Sequence, residues 1–165
     1  MSHIIYSTEA LVLKTAEHGE ANKLFWLFTK RFGLVLTHAQ SVRAAHSKLK
    51  HQLQIYGLVK VALVRGREWW RIVNVAESDL VSGDQTARRK FLAAASAFVL
   101  RLIHGEGAHE DIFAALATGG DLLSFQIKTL MALGYLAEGQ TTGLDLADTQ
   151  AAQALIDMGL SHSQL

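Results

Sequence analysis

Short runs of apolar residues, rich in β-branched and aromatic side chains, dominate the first eighty residues of the chain. Turn-forming or polar stretches separate five such runs, and each run has the length and composition of a strand. The runs cover Glu9–Thr15, Leu24–Lys30, Leu34–Ala39, Ile55–Arg65 and Trp69–Ala76. Five short strands at this spacing predict a small barrel or sandwich. Gly57, inside the fourth run, predicts a bulge or sharp bend at that point.

The hydrophobic period changes near residue 84 from that of strands to that of helices. Phe91, Ala95, Phe98 and Leu102 follow the i, i+4, i+7, i+11 spacing of one helix face. Further helices are predicted over His109–Ala117, Asp121–Leu136 and Thr149–Met158, and a short one within the polar gap between residues 40 and 54. We therefore expect an α+β protein with a β domain at residues 1–81 and a small all-helical domain at residues 82–165.

Composition narrows the classes of protein that fit this pattern. The chain has 165 residues, of which half are apolar, and it contains neither cysteine nor proline. Without cysteine there can be no disulfide, no thiol nucleophile and no cysteine-ligated zinc. No leader-like segment begins the sequence, and no apolar run approaches the ~18 residues of a membrane span. These features predict a soluble, cytoplasmic protein.

The charges are segregated along an almost neutral chain. Between Lys23 and Arg71 there are ten basic residues and one acidic residue, Glu68, whereas residues 81–165 carry a net charge of −4. A positive surface on a neutral protein suits a phosphate backbone, because each neutralised phosphate releases condensed counterions. A docking surface for an acidic protein would have the same charge, so charge alone leaves both alternatives open.

The sequence offers no candidate catalytic or metal-binding set. His38, His46 and His51 lie within fourteen residues, but their spacing matches no standard zinc motif. The chain also lacks a phosphate-binding glycine loop, a nucleophile elbow and the metalloprotease motif. We expect no enzymatic activity, no bound metal and no cofactor.

The same basic stretch supplies candidates for nucleic-acid binding. Aromatic rings interleave with the cations, and base stacking on such rings is the usual way to hold single strands without reading their sequence. Trp69 and Trp70 are adjacent, so on a strand they point to opposite faces and only one of them is expected to be exposed. The candidate DNA-binding residues are Lys23, Arg43, Lys48, Lys50, Arg65, Arg67, Trp69, Trp70 and Arg71.

The order of residues resembles the RecO family of bacterial recombination mediators over roughly residues 6–137. The similarity runs through Glu9–Lys14, His18–Leu24 and Phe32-Gly33, then the loop at Arg43 and Ser47–Leu49, and the turn Val64–Arg67. It ends in the helix that closes with Leu133-Gly134-Tyr135-Leu136. The chain departs from the family pattern at Ala39-Gln40-Ser41, where the family has a lysine, and it lacks the cysteines that hold zinc in some members.

The resemblance implies an oligonucleotide-binding (OB) barrel followed by a helical domain. It also implies binding of single- and double-stranded DNA without sequence specificity, annealing of complementary strands, and work with a RecR-type partner. Family members bind the acidic tail of single-stranded DNA-binding protein and help displace that protein so that recombinase can load. For the tail, the basic candidates in the helical part are Arg88, Arg89, Lys90, Arg101 and Lys128. Two alternatives remain: a protein-interaction adaptor of the repair machinery that binds nucleic acid weakly, and an RNA-binding OB-fold protein.

Overall fold

The N-terminal half of the protein is a closed five-stranded barrel. The computed structural model describes residues 4–20, 22–39, 48–76, 85–141 and 149–163. The strands are β1 (Ile5–His18), β2 (Asn22–Thr29), β3 (Gly33–Ala39), β4 (Leu58–Val64) and β5 (Trp70–Ala76), with helix α1 (Lys48–Gln52) between β3 and β4. Around the barrel the order is β1-β2-β3-β5-β4, and β4 closes it on β1. This architecture is that of the OB fold, which confirms the predicted fold class.

Strict alternation along the strands builds the core of the barrel. In β3 every second residue is buried, so that Val35, Thr37 and Ala39 point inward while Leu34, Leu36 and His38 lie on the outer surface. Phe25 and Leu27 of β2 join the inward set, together with Trp70 and Ile72 of β5. The period of two therefore decides which side chains are left for the outside of the barrel.

Strand β1 changes partner half-way along its fourteen residues. Its first half pairs with β4 and its second half with β2, and the register shifts between Val12 and Lys14. Gly57 was predicted to mark a bulge or a sharp bend. It lies just before β4, which begins at Leu58, and its N–H donates to the Gln54 carbonyl (2.9 Å), so the bend is confirmed and the bulge is not. Tyr56 donates its backbone N–H to the Val12 carbonyl (2.8 Å), and Gly57 accepts from the Val12 N–H (3.1 Å). The turn before β4 thus binds β1 beside its register shift, and a second register shift lies between Ala62 and Leu63, where β4 pairs with β5.

The remaining helices form a second unit that packs on the barrel. They are α2 (Gln85–Leu102), α3 (Glu110–Thr118), α4 (Leu122–Ala132), α5 (Glu138–Thr141) and α6 (Thr149–His162). Their common core also takes in Leu11, Leu13 and Phe28 from the outer surface of the barrel. The predicted domain boundary between residues 81 and 82 lies outside the described residues. Among the described helices, none has the length and apolarity needed to cross a membrane.

Candidate nucleic-acid interface

One outer surface of the barrel gathers aromatic, histidine and basic side chains. We call it the β2–β3 face, because its centre consists of the outward positions of those two strands. Cross-strand register places Lys14 opposite Trp26 and Trp26 opposite Leu36; in the next row, Leu24 lies opposite His38 and His38 opposite Arg71. The face comprises Lys14, His18, Leu24, Trp26, Leu36, His38, Trp69 and Arg71. None of these outward positions carries a carboxylate.

A cation covers one ring at the β1 edge of the face. The Lys14 Nζ lies 4.9 Å from the centroid of the Trp26 ring. Lys14 is exposed and Trp26 is half-buried, so the pair is in reach of a ligand. A cation–π contact of this kind holds the ammonium group at a defined place on the surface.

A second cluster joins two histidines and one tryptophan. The ring centroid of Trp69 lies 5.0 Å from that of His18 and 6.2 Å from that of His38, and the two histidines are 5.9 Å apart. Burial lowers the pKa of His38 below its ordinary value, and the nearby His18 and Arg71 lower it further. Within the described part of the chain, no third His, Asp or Glu joins them in a group that could hold a metal ion.

The two adjacent tryptophans have opposite environments. Trp69 is half-buried on the β2–β3 face, whereas Trp70 points into the barrel and is only 5% exposed. The Trp70 ring contacts Tyr6 and Phe32, and its Nε1 donates a hydrogen bond to Glu106 (2.9 Å). Trp70, proposed from sequence to contact DNA, is therefore a core residue, and Trp69 is the one with an accessible ring.

Glu106, between α2 and α3, also binds one of the predicted DNA-binding cations. Its Oε2 accepts a hydrogen bond from Arg65 Nη2 at 2.8 Å, and the Arg65 guanidinium lies 5.2 Å from the Trp70 ring centroid. The backbone of Glu106 bridges to Gly33, and the Gly107 N–H donates to the Phe32 carbonyl. The loop after α2 therefore docks on the barrel and neutralises Arg65.

The other predicted cations are dispersed. Arg67 and Arg71 are exposed near the start of β5, and Lys23 is half-buried at the start of β2. Lys48 and Lys50 lie on α1, but their side chains are outside the described structure, as is the whole of Arg43. The structure thus brings Trp69 and Arg71 onto one face and leaves Arg67 in the adjoining loop.

Part of the basic stretch lies on a different side of the barrel. Lys30, Arg31 and Lys60 line a groove of about 640 Å³ beside β1 and β4, and Glu9 and Glu110 line it too. Glu9 lies opposite Lys60 in the sheet and forms an ion pair with Lys30 at 3.6 Å. Basic residues that are neighbours in the sequence therefore lie on different sides of the barrel. The charge of Lys30, Arg31 and Lys60 is partly neutralised by Glu9 and Glu110.

Sequence reasoning did not select Lys14, His18, Trp26 or His38 as site residues. No sequence motif identifies these four residues, but their positions within the strands do. Once the strand register is known, each of the four falls on an outward position of β1, β2 or β3. The alternation of β3 could have identified His38, whereas the shift within β1 hides Lys14.

The five basic candidates of the helical part have different environments. Arg88 donates from Nη2 to the Ala117 carbonyl (2.8 Å) and from Nη1 to the Thr118 carbonyl (3.4 Å), at the C-terminal end of α3. Arg89, Lys90 and Arg101 are exposed on α2. Lys128 lines a groove of about 330 Å³ between α3 and α4, where Ile112, Met131 and Leu136 supply apolar walls and Asp111 an opposing charge.

Comparison with known proteins gives a consistent set of similarities. Residues 1–79 match the family model described as recombination protein O N terminal. Two curated relatives are each called DNA repair protein RecO. That of Thermodesulfovibrio yellowstonii is 27% identical over 155 residues, covering 84% of this chain and 61% of the relative. That of Heliobacterium modesticaldum is 28% identical over 146 residues, covering 81% and 53%.

A third relative is more similar over a shorter stretch. The DNA repair protein RecO of Clostridium novyi is 35% identical over 71 residues, which cover 43% of this chain and 28% of the relative. Across these three alignments, this chain spans between 28 and 61% of the relative's length.

Proposed function

We propose that the chain, which matches the RecO N-terminal family model over residues 1–79, acts in DNA repair and recombination by binding single- and double-stranded DNA without sequence specificity. The observation that carries the proposal is the β2–β3 face, where Trp69 and Trp26 lie among Lys14, Arg71 and two histidines with no carboxylate at the outward positions. The corresponding surface is the usual ligand-binding face of OB folds. The function is one of binding rather than of catalysis.

Each part of the face has a task in this proposal. Lys14, Arg67 and Arg71 are exposed and neutralise backbone phosphates, which releases counterions. Trp69 stacks on a base, and stacking tolerates any base because every base has a π face. The half-buried Lys23 extends the positive surface, and Arg43, Lys48 and Lys50 are included in the proposal from the sequence alone. Arg65 contributes only after it leaves Glu106.

The proposal extends to annealing and to displacement of single-stranded DNA-binding protein. A positive surface screens the repulsion between two complementary strands and so favours their pairing. The groove beside Lys128 supports binding of an acidic peptide tail through one ammonium group and apolar walls, although Asp111 also lines it. The Arg88 guanidinium already donates to a backbone carbonyl at the end of α3. In this proposal Arg89, Lys90 and Arg101 attract the acidic tail electrostatically and do not contact it. A RecR-type partner is proposed from the similarity to the RecO family alone.

Binding to a labelled single-stranded oligonucleotide at rising salt tests the proposal. Each neutralised phosphate contributes about −0.7 to the slope of log K against log salt for a single strand. Three contacts predict a slope near −2 or steeper, and Arg71→Ala should weaken binding and reduce the slope by about 0.7. The matched control is Arg89→Ala, which removes an equally exposed arginine from α2.

A flat salt response, or no binding, would rule the proposal out. A protein-interaction adaptor is favoured instead if charge reversal at Arg65 and Arg67 abolishes partner binding and leaves DNA binding intact. The engagement of Arg65 by Glu106 is the observation that keeps this second function in consideration. Competition between matched DNA and RNA oligonucleotides identifies the preferred nucleic acid.

A further inference from the structure

A small apolar notch opens where the β2–β3 face meets the helical unit. It has a volume of about 280 Å³, just below the range of about 300–1,000 Å³ typical of pockets for drug-sized ligands. Such a volume suits one planar ring system. Its walls are Trp26, Leu34 and Leu36 on the barrel and Leu100, Ile103 and His104 at the end of α2.

The notch is continuous with the charged part of the face. Trp26 forms one wall, and the Lys14 ammonium lies over its ring at 4.9 Å. Leu36 forms another wall and lies two residues before His38, on the same side of β3. A ring entering the notch would therefore have a cation beside it and further basic and aromatic groups along the sheet.

We infer that this notch binds one unpaired base of single-stranded DNA, stacked against Trp26, while Lys14 contacts a flanking phosphate. The inference rests on the proposed function and specifies its site. A base in a duplex is stacked between its neighbours and is not available to enter, so the notch makes the protein prefer single strands. Because Leu100 of α2 and the residues directly after that helix supply the other walls, this preference depends on the helical unit as well as on the barrel.

The test compares oligothymidylate with an abasic oligonucleotide of the same length, using the full chain. The wild-type protein should bind the oligothymidylate more tightly, because only it carries bases. Trp26→Ala should weaken that binding by about fivefold or more, the usual range for loss of one base stack, and should weaken the abasic affinity much less, through release of Lys14 alone. The control is Ile5→Ala, which truncates an apolar side chain that is 62% exposed on β1.

A second measurement does not depend on the folding of the Trp26 variant. In Trp69→Phe, emission comes from Trp26 and the buried Trp70. Oligothymidylate should quench this emission, and the abasic oligonucleotide should not. Loss of quenching on further introducing Leu100→Lys, which fills the notch from α2, would support the assignment of the site.

The outcomes separate the inference from the function on which it rests. Equal weakening of both ligands by Trp26→Ala, or equal wild-type affinities without quenching, would overturn the notch as a base site and leave phosphate binding intact. Failure of the wild-type protein to bind either oligonucleotide would overturn both. Capture of an apolar peptide that oligothymidylate does not displace would assign the notch to a protein partner and overturn the inference.

Discussion

A single carboxylate decides the state of two side chains at the junction of barrel and helices. Glu106 accepts from Trp70 Nε1 with one oxygen and from Arg65 Nη2 with the other. The Trp70 bond satisfies an indole N–H that the barrel would otherwise bury. The Arg65 contact is an exposed ion pair, whose usual contribution to stability is about 0–1 kcal/mol. Glu106 therefore matters more for where the positive charge lies than for the free energy of unfolding.

We expect Glu106→Gln to strengthen binding of single-stranded DNA. The amide oxygen can still accept from Trp70, while Arg65 loses its counterion and becomes available to a phosphate. The slope of log K against log salt should steepen by about 0.7, as for one added contact. Titrations at several salt concentrations measure this. Asp157→Asn is the control, because it removes the same charge from α6, and an equal gain in that variant would contradict the local effect.

His38 should make DNA binding depend on pH. Its pKa in the free protein is lowered by burial, by His18 and by Arg71, so the imidazole is neutral at pH 7. A bound phosphate favours the charged form and raises that pKa, so binding takes up a proton. Affinity should therefore rise as the pH falls below 7, by at most about tenfold per pH unit for one proton. His38→Gln should flatten the profile measured between pH 5 and 8, and His162→Gln, on α6, should not.

The lowered pKa of His38 also makes the free energy of unfolding depend on pH, in the direction opposite to that of the DNA affinity. The unfolded chain binds a proton at His38 near the ordinary pKa of 6.5, above the pKa of the folded state. The contribution of His38 to the free energy of unfolding is therefore fully present above about pH 6.5 and is lost as the pH falls below that value. Protonation of His38 at low pH thus lowers the free energy of unfolding, whereas it raises the affinity for DNA in the proposed function.

At the scale of the elements, the turn between β2 and β3 contacts the loop after α2 through backbone atoms. Gly33 has a φ of 66°, in the left-handed region, and a Cβ built on it would overlap the Gly107 carbonyl oxygen. The Thr29 hydroxyl donates to the Gly33 carbonyl at 3.0 Å and accepts from the Phe32 N–H at 3.0 Å. Backbone thus meets backbone at this junction, and only glycine leaves room for it.

Gly33→Ala should destabilise the protein by more than the cost of a positive φ alone. The left-handed conformation costs an alanine about 1–2 kcal/mol, and the overlap with Gly107 forces the loop away in addition. Gly19→Ala is a matched control, because Gly19 has nearly the same φ, 65°, and nothing lies within 4 Å of its built Cβ. Urea denaturation compares the two variants. Equal losses would show that the loop moves at no cost.

At the scale of the whole molecule, the described residues form two hydrophobic cores, one inside the barrel and one that the helices share with the outer surface of the barrel. Leu11, Leu13 and Phe28 point away from the interior of the barrel and pack with residues of the helical unit. The ring of Phe28 lies 6.4 Å from that of Phe113 on α3. The barrel and the helical unit, whose hydrophobic periods differ, are therefore joined by apolar contacts. As a result, the β2–β3 face continues onto α2.

Phe28→Ala should lower the free energy of unfolding by about 3–5 kcal/mol, the usual cost of removing a buried phenylalanine. The three tryptophans all lie in the barrel, so their emission reports on it, while far-UV circular dichroism reports mainly on the helices. Both signals should shift by the same amount, because Phe28 joins the two units. Ile5→Ala, at an exposed position, should change stability by no more than about 0.5 kcal/mol. A shift confined to one signal would argue against the shared core.

Local pattern was enough to predict most elements, and it failed where a distant segment intervened. The alternation of β3 and the helical period of α2 are properties of neighbouring residues, and both elements are found within a few residues of their predicted ends. Gly57 was predicted as a bulge or bend within the fourth strand, but it lies in the turn before β4, and its carbonyl accepts from Val12, 45 positions earlier in the chain. The orientation of Trp69 and Trp70 was also open until the register of β5 against β3 was known.

From the sequence alone came the five strands, every described helix except α5, and the excess of positive charge in the first half. These follow from periodicity and composition, which are local or additive. Only the tertiary structure decided that Trp70 is buried, that Glu106 engages Arg65, and that Lys30, Arg31 and Lys60 lie apart from the β2–β3 face. It also created the notch between Trp26 and α2. Each of these depends on contacts between segments far apart in the chain, which the closure of the barrel and the docking of the helices bring together.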